Sequence, residues 1–230
     1  MTDEKTSSGG ASLVPRLLGE LLVIIAGVLI ALAADRWNQA RLERSAAADY
    51  LVQLAGEIRQ DSTTVADFFA TTPGAEAARD SLFAAVNGSR ALQAGDGSLL
   101  FRAAGLFVFP PVVAWNELHN TGSLGLIKDK ELRRELSGYY ATRARNEAVI
   151  QRIESRSRDP YFDALYPLGI MDGSIESEEL AEFIALPEAT NLLRGLGGYR
   201  SGLHAYLSRL LVRANRVLSA LEAGGGAGSE

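Results

Sequence analysis

Cysteine does not occur in this 230-residue chain, which excludes a disulfide framework, a thiolate metal ligand and a thiol nucleophile. Histidine is nearly as scarce. His119 and His204 stand far apart, neither in the HExxH or similar spacing that brings two imidazoles onto one helix face. Lysine occurs three times, and the formal net charge is −5. A chain of that balance lacks the clustered cations that neutralise phosphates, so no nucleic-acid partner is expected. Aromatic residues make up only 7% of the chain, no segment alternates over a length that builds a sheet, and no internal repeat is evident. What is abundant is aliphatic and helix-forming: 47% of residues are hydrophobic against 22% charged, enough for one sizeable helical core.

The exception to that mixture is Leu17 to Ala34, an apolar run interrupted by Glu20 and closed by Asp35-Arg36-Trp37. Its length is borderline for a membrane span, which needs about 20 residues. Leu21 to Ala34 is uninterrupted but fourteen residues long; counting back to Leu17 gives eighteen, roughly 27 Å of helix. That matches a thin bilayer. Glu20 lies one turn inside the edge with Arg16 four residues before it, so its cost falls below the roughly 2.5 to 3.5 kcal/mol of a charge at a span centre. Arg16 and Arg36 then mark the two interfaces, with Arg36 snorkelling and Trp37 in the headgroup layer. The reading is a transmembrane helix over residues 15–37 with the lipid bilayer as its partner.

Two other readings of this run stay open. Arg16 before the apolar core and Ala31-Leu32-Ala33 near its end have the form of a cleaved signal peptide, which makes the chain a secreted helical protein. Glu20 at the head of the core, and helical character continuing from Ala34 to Ile58, argue against cleavage. A buried helix of a soluble protein has to account for a segment that is apolar on every face. Within the run, Gly19, Val23, Gly27 and Ala31 recur at four-residue intervals, with Glu20 beside them. Gly27-x3-Ala31 is a small-x3-small pair that lets two backbones approach, which points to a homo-oligomer formed through the anchor. The alternative is that lipid is indifferent to these small residues and Glu20 snorkels with Arg16.

Two stretches carry a likeness. Gly19-Glu20, the aliphatic run, Gly27 and Ala31 lead into Trp37-Asn38; Glu117-Leu118 then leads through Thr121-Gly122-Ser123-Leu124 to Glu131-Leu132-Arg133 and Tyr139-Tyr140. Together they resemble an uncharacterised bacterial family of small single-pass membrane proteins, a domain of unknown function. Members often carry Glu where this chain has Gln39. The resemblance implies a membrane anchor and a helical domain, and no activity.

Taken in order, residues 1–14 are polar and Gly/Ser-rich and predict a disordered tail. Pro15 suits the first turn of a helix. Beyond the apolar run, Ala47, Leu51, Leu54, Ala55, Ile58, Val65 and Phe69 follow one helical stripe, while Arg44, Glu57, Arg59, Asp61 and Asp67 lie off it. This predicts one helix to about Ala70, ended by Pro73-Gly74, and a second over 75–93 ended by Gly95-Asp96-Gly97. Ser98 can cap a buried helix over Leu99–Phe109, and Val112–Asn120 predicts a short helix with Trp115 turned inward. Asp129 and Glu131 open a long helix to about Arg158, with Leu132, Leu136, Tyr139, Tyr140, Ile150 and Ile153 on its apolar face and an Arg/Glu-rich solvated face. Asp159-Pro160 and Tyr166-Pro167 mark an irregular link to Gly173. Ser177 can cap a short helix, and Pro187 opens the last one, whose stripe runs from Leu192 through Leu196, Tyr199, Leu203 and Leu210 to Leu221. Residues 223–230 predict a second free tail. The expected architecture is all-α: an N-terminal transmembrane helix continuing into an antiparallel bundle of three or four long helices over residues 38–222.

Candidate chemistry is thin. Glu117 and His119 fall on opposite sides of a helix, so hydrogen bonding is the better account than a metal. Asp172, Ser174, Glu176 and Glu178 alternate like the first ligands of a calcium loop, yet Ser177 stands where the glycine belongs and Phe183 where the bidentate Glu belongs. Gly195, Gly197, Gly198 and Gly202 have neither a strand before them nor a Lys after them, so close helix packing explains them better than a phosphate loop. No nucleophile elbow is present. The expectation is a membrane-anchored domain without enzymatic activity or cofactor, in the bacterial inner membrane with its soluble part periplasmic. Its bundle either binds an unknown protein or ligand, or serves as a structural scaffold.

Overall fold

A computed structural model describes residues 13–93, 95–168 and 177–226; of these, the side chains of 13–17, 19, 177 and 224–226 are outside the description. Among the described residues every regular element is helical, as expected. The elements are α1 (Leu13–Val86), α2 (Ser98–Ala104), α3 (Ala114–Asn120), α4 (Lys130–Leu165), α5 (Ser177–Ala185) and α6 (Ala189–Gly226), with 3-10 turns at Ser123–Leu126 and Tyr166–Leu168. The chain divides into two units, Met1–Asp49 and Tyr50–Glu230.

In the first unit, α1 carries the apolar run. Among the described residues no helix is long and apolar enough to cross a membrane. Leu21–Ala34 is fourteen residues, roughly 21 Å at 1.5 Å per residue against a hydrocarbon core of about 30 Å. Leu17 and Gly19, which a longer run needs, are among the residues whose side chains are outside the description. The span expected over residues 15–37 is therefore not displayed by the described helix.

The core of the second unit consists of three layers. In the first, Leu54 and Ile58 of α1 meet Leu136 and Tyr139 of α4 and Leu210 and Val217 of α6. In the second, Val65 and Phe68 meet Ile150, Tyr199 and Leu203. In the third, Ala78 and Leu82 meet Tyr161, Leu165, Leu193 and Leu196. Residue numbers rise together along α1 and α4 and fall along α6, so α1 and α4 run parallel and α6 runs against both. The fourth wall is residues 98–127, which pass from Leu100 in the third layer through Phe107 in the second to Ala114, Leu118 and Ile127 in the first. Successive columns thus alternate in direction, with three long helices and an irregular fourth wall.

Several predicted boundaries change. α1 does not stop at Pro73 but continues to Val86, absorbing the expected second helix. The hydroxyls of Thr71 and Thr72 both donate to the Phe68 carbonyl, at 3.0 and 2.8 Å, just before the proline. Beyond it Ala75, Ala78, Leu82 and Ala85 are all buried, so apolar packing offsets the roughly 3 kcal/mol that an interior proline costs. The helix ends instead at Gly88, whose φ of 70° admits the left-handed turn. Gly88 N–H donates to Ala85 O at 3.0 Å and Ser89 N–H to Ala84 O at 2.9 Å, the Schellman pattern.

The helix expected over Leu99–Phe109 stops at Ala104. Gly105 has φ 59° and ψ 156°, and residues 105–113 belong to no helix. Leu106 and Val108 are exposed while Phe107 is buried, so this apolar run alternates rather than spirals. Ser98 begins α2 without capping it; its hydroxyl donates to Gly95 O at 3.0 Å. α4 continues through Pro160 to Leu165, where the link was expected, because Tyr161 and Leu165 are wholly buried and Tyr161 Oη donates to Leu100 O at 2.9 Å. At its other end Asp129, expected to share the acidic first turn with Glu131, is the cap of α4, accepting from the N–H groups of Glu131 and Leu132 at 2.8 and 3.1 Å. α6 is helical to Gly226, past the start of the expected tail.

Candidate functional site

The residues singled out in the apolar run share one property. Every large apolar side chain described between Leu18 and Leu32 is between 45% and 73% exposed. Leu21 to Ile25 are consecutive, and at about 100° per residue five in a row go round the whole helix. No face of this segment is buried. Val23 and Ala31 are exposed, and a side chain at Gly27 would meet nothing within 4 Å. Arg36 and Trp37 are exposed at the end of the run, and Glu20 is exposed near its start. The side chains of Arg16 and Gly19 lie outside the described residues.

In the second unit, charged residues form a buried cluster that the sequence placed on solvated faces. Asp61, one turn beyond Glu57 on α1, and Arg143 on α4 are each 4% exposed. Arg143 Nε donates to Asp61 Oδ2 at 2.6 Å and its Nη2 to Oδ1 at 3.2 Å, a bidentate pair. Tyr139 Oη also donates to Asp61 Oδ2, at 2.7 Å. Arg143 further donates to the Pro110 carbonyl and lies 4.6 Å over the Phe109 ring. Glu57 Oε2 accepts from Tyr140 Oη at 2.8 Å, while its Oε1 takes the N–H groups of Val113 and Ala114 at the start of α3, at 2.7 and 2.6 Å. Trp115 stacks on Tyr140 at 4.4 Å, the inward packing expected of it.

A second buried arginine holds the end of α2, just before residues 105–113. Arg200 on α6 is 2% exposed and donates Nη2 to Ala103 O at 2.9 Å, satisfying a carbonyl at the end of α2. Burial lowers its pKa from the ordinary value. A Cβ on Gly105 would collide with this guanidinium. The strap 105–113 is therefore held by Arg200 just before it and by Arg143 and Glu57 at Pro110 and Val113 within it. Chemically, the cluster directs its donors and acceptors at one another and locks α1, α4 and the strap in register. The tyrosine hydroxyls remain protonated: Tyr139 and Tyr140 have pKa values pushed far up by burial first and then by the adjacent carboxylates, and Tyr161 by burial alone.

The remaining candidates fall as follows. His119 is exposed, its ring 6.0 Å from that of Trp115, and His204 lies 4.6 Å from the Phe69 ring. Asp172, Ser174 and Glu176 of the calcium-like pattern lie outside the described residues, and among the described residues no group of His, Asp or Glu side chains is placed to hold a metal ion. Three of the four glycines are packing positions. A Cβ on Gly195 would sit 3.7 Å from the Ser157 carbonyl and one on Gly202 3.1 Å from Ile153, and Gly197 lies under the Arg79 guanidinium; Gly198 is open. Beside Gly197 and Gly198, α1 and α6 line an open cavity of about 430 Å³. Sequence reasoning missed Asp61, Arg143 and Arg200. Their one signal is that Asp61 and Arg143 each fall within a turn of core positions, Ile58 and Tyr140 respectively. No family model matches the chain, and comparisons with curated proteins and with solved structures return no match.

Proposed function

We propose that the chain is a membrane-anchored helical domain, retained in the bacterial inner membrane by residues 17–37, whose bundle binds a partner or ligand in the cell envelope. The observation that carries this reading is the all-round exposure of apolar side chains from Leu18 to Leu32. A globular partner covers one face of a helix; lipid covers all of them. Because Leu21–Ala34 alone is short, the span draws in Leu17 to Glu20 and places Arg36 and Trp37 at the interface. The likeness of Gly19-Glu20 through Trp37-Asn38 to a family of single-pass proteins supports the same reading.

The test is retention. Membranes washed with alkaline carbonate should keep the protein, with its N-terminus ahead of Leu17. Release into the wash overturns the anchor, and a mature N-terminus near Ala34 makes the run a cleaved signal. A periplasmic bundle is tested in the cysteine-free chain with Gln60→Cys, an exposed position on α1. Labelling by an impermeant maleimide in spheroplasts is expected, and protection reverses the orientation. A second copy is the proposed partner of the anchor along Gly19, Glu20, Val23, Gly27 and Ala31, where Gly27 is open to a close approach. Crosslinked dimers in the parent chain that vanish in Gly27→Leu support this, and dimers that persist refute it.

A further inference from the structure

The cavity between α1 and α6 has a chemistry of its own. One wall is α1, with Arg79 and Asp80 followed one turn on by Phe83; the other is α6, with Leu193, Arg194 and Ser201 around the glycine pair. The two glycines do different things. Gly197 has no side chain because the Arg79 guanidinium occupies that place, whereas a Cβ on Gly198 would meet nothing within 4 Å. At Gly198 the surface of α6 is bare backbone facing open space. The volume, about 430 Å³, falls within the range of small-molecule sites.

Its charge runs against that of the chain. Arg79 donates Nε and Nη2 to a single oxygen of Asp80, at 3.0 and 2.6 Å, and among the described residues its Nη1, which lies against Gly197, has no hydrogen bond. Among the described residues, Arg194 donates to a neutral group, the Asn191 side-chain oxygen, at 2.8 Å. Two guanidiniums therefore face one half-used carboxylate in a protein of net charge −5. Phe83 is half-buried and keeps part of its ring accessible, giving the same cavity an apolar side, with the wholly buried Leu193 beneath it. Planar guanidiniums with free N–H groups match the paired oxygens of a carboxylate or phosphate.

We propose that this cavity binds an amphiphilic anion. Arg194 and Arg79 hold the oxyanion head, Phe83 the apolar body, and Gly198 leaves room for it against α6. The proposal rests on the reading of the bundle as a ligand-binding domain and is independent of whether residues 17–37 enter a bilayer, so carbonate extraction and ligand binding fail separately.

The test uses the full chain in phosphatidylcholine nanodiscs, with 2-naphthyl phosphate as probe and 2-naphthol as its uncharged counterpart, measured by calorimetry. The phosphate should bind at least about tenfold more tightly than the alcohol, since guanidiniums form charge-assisted hydrogen bonds with the anion that a neutral hydroxyl does not match. Arg194→Gln should weaken the phosphate by a similar factor. Gly198→Leu should abolish binding while leaving helicity and thermal stability at least at parent level, because it fills the open space and improves helix propensity. Equal binding of phosphate and alcohol, no binding of either, or an unaffected Gly198→Leu overturns the proposal. Adding phosphatidylglycerol to the nanodiscs distinguishes sources: displacement of the probe assigns a lipid headgroup, and undiminished binding assigns a free anion.

Discussion

Glu57 on α1 accepts the N–H of Ala114 at 2.6 Å, so α3 takes its N-terminal cap from a residue 57 positions earlier in the chain. Val113 sits at the capping position and offers no side-chain acceptor, and the carboxylate supplies what a local Ser or Asp ordinarily would. The negative charge also meets the positive end of a helix dipole.

Glu57→Ala should consequently cost about 1 to 3 kcal/mol, since it removes the cap and leaves the Tyr140 hydroxyl without its acceptor. Glu57→Gln should recover part of this, because the amide oxygen still accepts. Urea denaturation of the three proteins checks the order; a Gln variant as unstable as the Ala variant would mean that charge, not capping, is what matters.

The Asp61–Arg143 pair should show the asymmetry of buried ions. Asp61→Ala leaves a guanidinium buried and uncompensated and should destabilise by about 3 to 5 kcal/mol, whereas Asp61→Leu combined with Arg143→Met should cost far less. If the double variant is as unstable as the single one, the contacts of Arg143 with Pro110 and Phe109 outweigh the ion pair.

Gly105→Ala combines a strained positive φ with a collision against Arg200. A loss of about 2 kcal/mol or more is expected. Replacing Arg200 by Ala in the same chain should add less than its own single-variant cost, because the collision is then gone. Strict additivity in a thermodynamic cycle would disprove the contact.

Alkaline pH should unfold the bundle cooperatively. Tyr139, Tyr140, Tyr161 and Tyr199 all have pKa values raised above 10 by burial. The folded chain therefore holds protons that the unfolded chain releases once pH passes 10. The stability these groups contribute is complete below pH 10 and falls above it, by up to about 1.4 kcal/mol per pH unit for each. Absorbance at 295 nm should show their ionisation coinciding with loss of the helical circular dichroism; gradual titration of all tyrosines near pH 10 in a folded chain contradicts the burial.

Much of the helical course was legible because apolar residues recur at the helical period: Leu54, Ile58 and Val65, or Leu196, Tyr199, Leu203 and Leu210, are buried as their spacing requires. The stops were less so. Proline is a local signal, but whether a helix survives Pro73 or Pro160 depends on what Leu82 or Tyr161 finds to pack against. Leu99–Phe109 is apolar at every period, which makes helix and strand hard to tell apart; Gly105, set within the run, was the feature that decides it. The polar cluster was hidden for another reason. A charge beside an apolar stripe reads as solvated until its partner is known, and Asp61 and Arg143 are 82 residues apart.

The layering of the core bears on the order in which the domain is built. Each of the three layers draws side chains from α6, the last long helix in the chain, as well as from α1 and α4. During synthesis no layer can close until α6 has emerged, and the apolar flanks of α1 and α4 remain unsatisfied until then. Non-local contacts of this kind slow folding and prolong the exposure of adhesive surface. The apolar run of α1, by contrast, leaves the ribosome long before α6, so its environment is chosen while the rest of the domain is still unfolded.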